Sequence, residues 1–537
     1  MTNQRTTVIT ASLLSGIGLL SATAIGPVAR ADDNGQLLHP DSLVISSTTY
    51  DSSRGAVASL TIGTLLPDSD TATTPAIADN DYVNVWNNVT VDAAFGVTSP
   101  ITLLDVDPAH GRLLSELRVP TNQVVTSFSS KSELSLHYVQ SRQGPHLIFV
   151  GYGEANVGAI DVSNSDAVAG QDPTNPVTFA FGSQYAFHRT IVSLGEDGQF
   201  TYTPTINYGG DNGRSALLGP NGLYYMVGDA NNGNAAAFGA SNGTSPDVTE
   251  TTGLEVVKPI DARTAFAVIP TDDSAEVDPL IQYPLGKKGA LDKPGKDNNY
   301  RGLTEFGGAL YFTKGSGSNG MDTVYTVSSL PTVANAATAT ISVVPGFPTD
   351  SAKATGGDYT PFAVFFANPT TMYVSDEGTG DATDTSTHAG LEKWSLVNGT
   401  WQLDYVLTQG LIGTVDSKLF GYDGQFPDVT TIGLRNLTGV VNHDGTVTLW
   451  AATSTTSTAG DTGADPNRVV SITDPLSATT LPAAETFKTV AGPTYGTVYR
   501  GVAYICTQQD TNGVCVNGLD ESHDGGRGNG RGERSWH

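Results

Sequence analysis

Short runs in which apolar and polar residues alternate recur along the chain, and no 3.6-residue apolar stripe lasts beyond two turns. Alternation of that kind predicts half-buried β-strands and not helices. Six segments share one pattern: SSKSELSLHYV, NGRSALLGPNG, NYRGLTEFGG, YTPFAVFFANP, LRNLTGVVNHDG and VYRGVAYICT. Each sets a polar or basic residue, or a proline, just ahead of a short strand. Tyr300-Arg301-Gly302 and Tyr499-Arg500-Gly501 are identical over three residues. Five of the segments are followed by a turn and a second strand: HLIFVGYG, GLYYMVGDA, ALYFTKGSG, TMYVSDEGTG and TVTLWAATST. A Gly- or Asp-rich loop comes next, then a third strand such as DTVYTVSSL, LEKWSLVNG or NRVVSITDP, and a fourth such as TISVVPGF or WQLDYVLTQ.

This is a repeated four-stranded meander. With Lys131, Arg214, Arg301, Pro361, Arg435 and Arg500 as equivalent anchors, the intervals are 83, 87, 60, 74 and 65 residues. Four short strands need about 40–50 residues, so the surplus is loop. Another unit spans roughly residues 81–120, with ITLLDVDPAHGRLLSELRVP as its third and fourth strands. The two ends look like halves of one more unit. VYRGVAYICT is a first strand with nothing after it, and DSLVISSTTYDSSRGAVASLTIG reads as second and third strands with nothing before them. The expectation is an all-β fold, a seven-bladed β-propeller whose ring closes by pairing the N- and C-terminal strands. Such closure leaves no long unpaired edge. Two separate β-sandwiches, the competing architecture, leave both orphan halves unexplained.

The stretch ITLLDVDPAHGRLLSELRVP and the second strands of LYxxxxxxG type resemble the YVTN/NHL-type propeller superfamily, over most of the chain. GDNGRSALLG, KGSGSNG and DTGADPNRVV are similar to stretches of a set of secreted bacterial propellers. The resemblance implies the fold. It leaves activity open, because the superfamily holds lyases, lactonases, esterases, dehydrogenases and plain binding scaffolds. The Gly-His and Trp-Asp signatures of WD40 repeats are missing.

Composition sharpens this picture. Only 15% of residues are charged, and 61 glycines accompany abundant Thr, Ser and Asn, the mixture of strands and tight turns. Arg5, an apolar run from Val8 to Ile25 and Ala29-Arg30-Ala31 read as a signal peptide over residues 1–31, the alternative being an uncleaved anchor. The propeller domain is then expected over 32–519. Residues 520–537, DESHDGGRGNGRGERSWH, have almost nothing to bury and are expected to be a disordered tail. Without the leader's two arginines, 25 basic face 54 acidic side chains, a net charge of −29. That charge repels nucleic acid and anionic membranes. A secreted monomer without membrane insertion is the expectation. The only cysteines, Cys506 and Cys515, are expected to form a disulfide across a short hairpin in an oxidising compartment.

Catalytic signatures are scarce. HExxH, Walker and Rossmann motifs are absent, and the single GxSxG string, Gly239 to Gly243, sits in a loop rather than on a strand-turn-helix elbow. His137, His388 and His443 lie far apart in sequence, and a lone strand histidine is more often hydrogen-bonded interior than catalyst. The informative feature is positional. Five of six anchors place a cation where the innermost strand begins: Lys131, Arg214, Arg301, Arg435 and Arg500. A cation ring in an acidic protein would draw an anionic small molecule or acidic polysaccharide to the channel mouth, and arginine suits carboxylates. Tyr300 and Tyr499 would then serve as acid or base in a polysaccharide lyase, or the ring as an oxyanion clamp in a hydrolase. The alternative is a non-catalytic extracellular binding or scaffold protein whose arginines staple blades together, with Glu133, Asp211 and Asp297 as nearby acids. A cofactor-dependent dehydrogenase ranks third, since nothing indicates a nucleotide or quinone site. Asp376, Glu377, Asp381 and Asp384 in one loop, and Asp461, Asp465 and Asn467 in another, have oxygen-rich spacing that would suit Ca2+, the one expected cofactor. Solvated acidic turns account for the same spacing.

Overall fold

The computed structural model describes residues 38–67, 73–77, 86, 96–141, 144–153, 156–160, 188–205, 207–208, 211–229, 253–265, 274–277, 299–316, 321–349, 359–381, 388–416, 428–457 and 463–517. They form a β-propeller of six antiparallel blades, each built on a four-stranded meander, with Val124–Ser127 and Thr98–Ser99 added to the sheet of blade 2 and Gly413–Val415 to that of blade 6. Blade 1 runs, from the inside out, Thr497–Ile505, Ser42–Thr49, Ile101–Val106 and Leu113–Arg118. Blade 2 is His137–Ser141, Gly144–Gly153, Arg189–Gly195 and Phe200–Thr205. Blade 3 is Gly213–Leu218, Tyr224–Gly228, Leu254–Val257 and Ser274–Val277. Blade 4 is Tyr300–Phe306, Ala309–Lys314, Thr323–Val327 and Ile341–Val343. Blade 5 is Pro361–Asn368, Thr371–Asp376, Gly390–Val397 and Thr400–Leu407, and blade 6 is Val429–Val441, Thr446–Thr456, Val469–Pro475 and Lys488–Ala491.

Blades stack face to face, so a middle strand has no solvent side. In Thr371–Asp376, Met372 and Val374 pack with Phe306, Val324 and Phe347 of blade 4. Tyr373 packs with Leu434, Leu449 and Ile472 of blade 6. Apolar residues therefore occupy both alternating positions of the second strands, which is why these strands are the easiest to see in the sequence.

The inner strands approach closely around a narrow channel, and this accounts for the repeated Tyr-Arg-Gly. A Cβ on Gly302 would stand 2.2 Å from the Phe362 carbonyl oxygen of blade 5, and one on Gly501 would stand 2.2 Å from that of Leu134. Any side chain there would push neighbouring inner strands apart.

Among the described residues there are six blades and not the expected seven. Two units counted separately are one sheet: Ser42–Thr49 pairs with Ile101–Val106, Val44 opposite Asp105, and with Thr497–Ile505, Val44 opposite Ala503. ITLLDV and LLSELR are third and fourth strands, as their pattern indicates, but of the blade that also contains the first and last described strands. The stretch DSSRGAVASLTIG is not a strand. It holds a single 3-10 turn, Ala56–Ser59, and Leu65–Pro67 pairs only with Thr73–Pro75 in a separate hairpin. Its apolar residues are mostly small, with Val57 buried and Ile62 exposed, too little to fill both faces of a blade. Residues 50–100 thus lie between the second and third strands of blade 1.

The Cys506–Cys515 disulfide is present. It closes the segment after the last inner strand, where the Val441 amide donates to the Cys515 carbonyl (3.0 Å) at the foot of blade 6. A loop that short contributes about 2–3 kcal/mol by chain entropy. Among the described residues, no helix is long and apolar enough to cross a membrane. The leader 1–31, the tail 520–537, the Gly239–Gly243 string, Asp297, Asp384 and Asp461 lie outside the described residues.

Candidate functional site

Each inner strand enters its blade at the same end of the channel, and the loops joining second to third strands open there too. Glu377 follows the second strand of blade 5 and is 3% exposed. Its Oε1 lies 2.9 Å from Arg301 Nη1, and its Oε2 lies 3.3 Å from Arg435 Nε and 3.2 Å from Lys131 Nζ. One carboxylate therefore meets a cation from blade 4, one from blade 6 and one from the segment leading into blade 2. Arg301 also donates to Ser132 Oγ at 2.9 Å and to Ser316 Oγ, and its guanidinium lies over the Phe362 ring. Beside this cluster, Lys314 Nζ donates to Asp322 at 3.1 Å. Burial holds the Asp322 carboxyl above the usual range, against the pull of Lys314 and Arg301.

The other two anchors are engaged elsewhere. Arg500 donates to the Phe128 and Gly463 carbonyls at 2.5 and 2.7 Å, linking blade 1 to its neighbours on both sides. Arg214 of blade 3 donates to Asn299 Oδ1, to the Tyr300 carbonyl at 3.1 Å and to Asp229 at 3.5 Å. Lys131 is the one anchor with substantial exposure, 29% of its side chain. The five cations are thus brought to one end of the fold: Lys131, Arg301 and Arg435 onto a common acid, Arg214 onto Asp229, Asn299 and the Tyr300 carbonyl, and Arg500 onto flanking backbone carbonyls.

Tyr300 and Tyr499 lie one residue before their arginines, so alternation turns them away from the channel. The Tyr300 ring packs 4.7 Å from Phe312 and 5.7 Å from Tyr325. The Tyr499 hydroxyl donates to the Gly492 carbonyl at 3.1 Å, and burial raises its pKa. Of the nearby acids, Glu133 accepts from Thr126, Tyr152, Asn212 and the Ser127 amide, not from Lys131. The Asp211 carbonyl accepts from Arg189.

In the acidic loop, the Asp376 carboxylate accepts from the Thr360 amide (2.7 Å), the Thr360 hydroxyl (2.6 Å) and the Gly378 amide (2.9 Å). Glu377 is committed to the cations, and Asp381 is exposed. In the second loop, Asp465 accepts from Ser457 Oγ at 3.1 Å. Asn467 accepts from the Tyr499 amide at 2.8 Å and donates back to the Tyr499 carbonyl at 2.8 Å, holding blade 6 to blade 1. No group of three or more His, Cys, Asp or Glu among the described residues is arranged to hold a metal ion. His137 is hydrogen-bonded to Ser215 Oγ at 2.8 Å on an inner strand, and burial lowers its pKa to about 4.

Burial, then the charge of Glu392, raises the Asp376 pKa from 3.8 to about 7. Glu392 is itself held by His388, Trp394 and Tyr359. A carboxyl whose pKa folding raises loses stability as pH climbs from its unfolded value to its folded one, because the unfolded chain gives up the proton first. Between pH 4 and pH 7 the melting temperature of Asp376→Asn should therefore gain steadily on that of the parent. His137 works in the opposite direction but equally in both proteins. Parallel pH profiles would show that Asp376 is ionised throughout.

Sequence reasoning gave Glu377 the wrong neighbours. The signal was available: blade 5 alone carries proline in place of a cation at its anchor, Pro361, and blade 5 supplies the acid on which three of the others converge. The buried pair Lys393–Asp474, 2.8 Å apart, was missed altogether.

No family model matches the chain, and no curated protein matches it in sequence. Solved structures with a related course of strands include an α-L-arabinanase of Penicillium chrysogenum complexed with arabinobiose, at 12% identity over 81% of this chain and 99% of that one, TM-score 0.34. A quinoprotein alcohol dehydrogenase-like protein of Bacteroides thetaiotaomicron matches at 8% identity over 88% and 96%, TM-score 0.30. An ulvan lyase, from a new family of polysaccharide lyase, matches at 10% identity over 80% and 96%, TM-score 0.29. Likeness at this level leaves function to be argued from the chain's own residues.

Proposed function

We propose that the chain is a secreted, non-catalytic binding propeller whose cation ring staples its blades together. The observation behind this reading is Glu377, which takes one cation from each of three other parts of the ring. Cations already paired and hydrogen-bonded inside the fold project little field outward, and an incoming anion would first have to displace that carboxylate. The pairing of the two chain ends in blade 1 is, on this reading, the other device that keeps the ring shut. The disulfide supports an extracytoplasmic site of action.

A second reading has one observation in its favour: three cations meeting one carboxylate is also how an acidic sugar would be held. Glu377 would then be a stand-in that moves aside, and a lyase or hydrolase would work at the mouth. Thermal melting of the parent protein with millimolar oligogalacturonate separates the two. The staple reading expects no saturable rise in melting temperature and no new absorbance from unsaturated products. A saturable rise would return the ring to ligand binding, and unsaturated products would make the protein a lyase.

A further inference from the structure

At the opposite end of the channel, the turns joining first to second and third to fourth strands frame two adjoining cavities. One is a cleft of ≈ 1360 Å3 between blades 2 and 3, walled by residues 195–199 and 219–222 and by Pro259, Asp261 and Arg263. The other, ≈ 560 Å3, is the channel mouth itself, lined by inner strands of all six blades and by Val514 and Cys515 of the disulfide segment. The two share Val139, Gln140, Leu218 and Pro220, so they form one trough running radially into the channel.

The chemistry of the trough changes along its length. The outer cleft presents Glu196, Asp197 and Asp261, and the mouth adds Glu305. Arg263 is the only lysine or arginine among the described lining residues. The structural demands on these acids are light. Asp197 accepts from the Gln199 amide at 3.0 Å, Asp261 from the Tyr224 and Thr201 hydroxyls at 3.1 and 3.4 Å, and Glu305 from the Gly308 amide at 2.8 Å, each through one oxygen. Glu196 is exposed at its turn. At the inner end Tyr138, Leu218 and Phe365 line the mouth together with Thr304, Thr438 and Gln509.

We propose that this trough binds an extended basic polypeptide segment, with lysines or arginines along the cleft and one apolar side chain anchored in the channel mouth. Three features select that partner. The outer volume exceeds that of an ordinary small-molecule pocket, about 300–1,000 Å3, and suits a chain several residues long. Its carboxylates, on a protein of net charge −27, steer a cation and reject an anion. Tyr138, Leu218 and Phe365, among polar neighbours at the inner end, offer one side chain of the segment an apolar contact. The proposal rests on the reading of the chain as a binding protein, but on the face away from the cation ring.

The test is fluorescence anisotropy of the full-length protein with a labelled 12-residue probe carrying four lysines spaced by glycine and serine and one terminal phenylalanine. Saturable binding is expected, weakening several-fold between 50 and 300 mM salt. It should fall at least tenfold for a probe with glutamate in place of lysine, and severalfold for one with serine in place of phenylalanine. Glu196→Lys, at an exposed turn where folding is not at stake, should weaken binding at least fivefold, while Asp416→Lys, an equal charge change at the other end of blade 6, should not. Absence of saturable binding, or an equal effect of both substitutions, would overturn the proposal. Neither result bears on the oligogalacturonate melting experiment, so failure here and failure of the staple reading are separate outcomes.

Discussion

Glu377→Gln should lower the stability of the protein by about 3–5 kcal/mol, the usual consequence of removing one partner from a buried ion pair. The amide keeps the shape and loses the charge, so Arg301 and Arg435, each 3% exposed, are left facing each other and Lys131 without the anion between them. The loss should appear in denaturant unfolding as a lower midpoint at unchanged slope. Lys131→Met, at the partly exposed corner of the cluster, should cost about 1 kcal/mol or less. If Glu377 instead occupies a ligand site, Glu377→Ala should behave differently: acetate or a monomeric uronate should fill the gap and restore the midpoint saturably. Near-parental stability of Glu377→Gln would sink the staple reading, because cations held together by other groups do not need this carboxylate.

The architecture was legible where blade strands announce themselves. Second strands such as ALYFTKG and TMYVSDE are apolar at both alternating positions, since both faces are buried between blades. Five of the six anchors found by pattern lie on inner strands and the sixth, Lys131, on the segment leading into one; the count went too high because residues 41–63 and 81–120 were taken as parts of two blades. Residues 50–67 are mostly polar and small, and a 51-residue segment between neighbouring strands leaves no local trace of which strand comes next; the Val44–Asp105 pairing is specified by packing across the sheet. The cation ring was legible as a set of positions, but its partner was not. Glu377 lies 76 residues from Arg301 and 58 from Arg435, and only closure of the ring brings them together. Tyr300 and Tyr499 turn from the channel for a reason the sequence does contain: in a strand, the residue before a channel-facing arginine faces the blade interior.

Lys393 and Asp474 carry the second large expectation. Both are fully buried, on blade 5 and blade 6. Lys393 Nζ donates to Asp474 Oδ2 at 2.8 Å, to the Pro475 carbonyl at 2.6 Å and to the Tyr405 oxygen at 3.1 Å. Asp474 also accepts from the Tyr373 and Tyr405 hydroxyls at 2.5 and 2.6 Å, and burial together with this carboxylate pushes both phenol pKa values far up. Each ion thus has its hydrogen-bonding capacity largely filled, the condition under which a buried pair holds its charges. Lys393→Met removes the counter-charge and leaves Asp474 with two neutral donors in a dry layer, at a cost of about 3–5 kcal/mol. Asp474→Asn leaves the ammonium the neighbouring Glu485 carboxyl, which burial and Asp474 otherwise hold protonated, so its cost should be smaller. The double variant Lys393→Met/Asp474→Asn leaves no buried charge and should lose about 2 kcal/mol or more less than the sum of the two single changes. Measured by unfolding midpoints, strict additivity would mean that the two side chains do not act as a pair, and that blades 5 and 6 are held by their apolar layer alone.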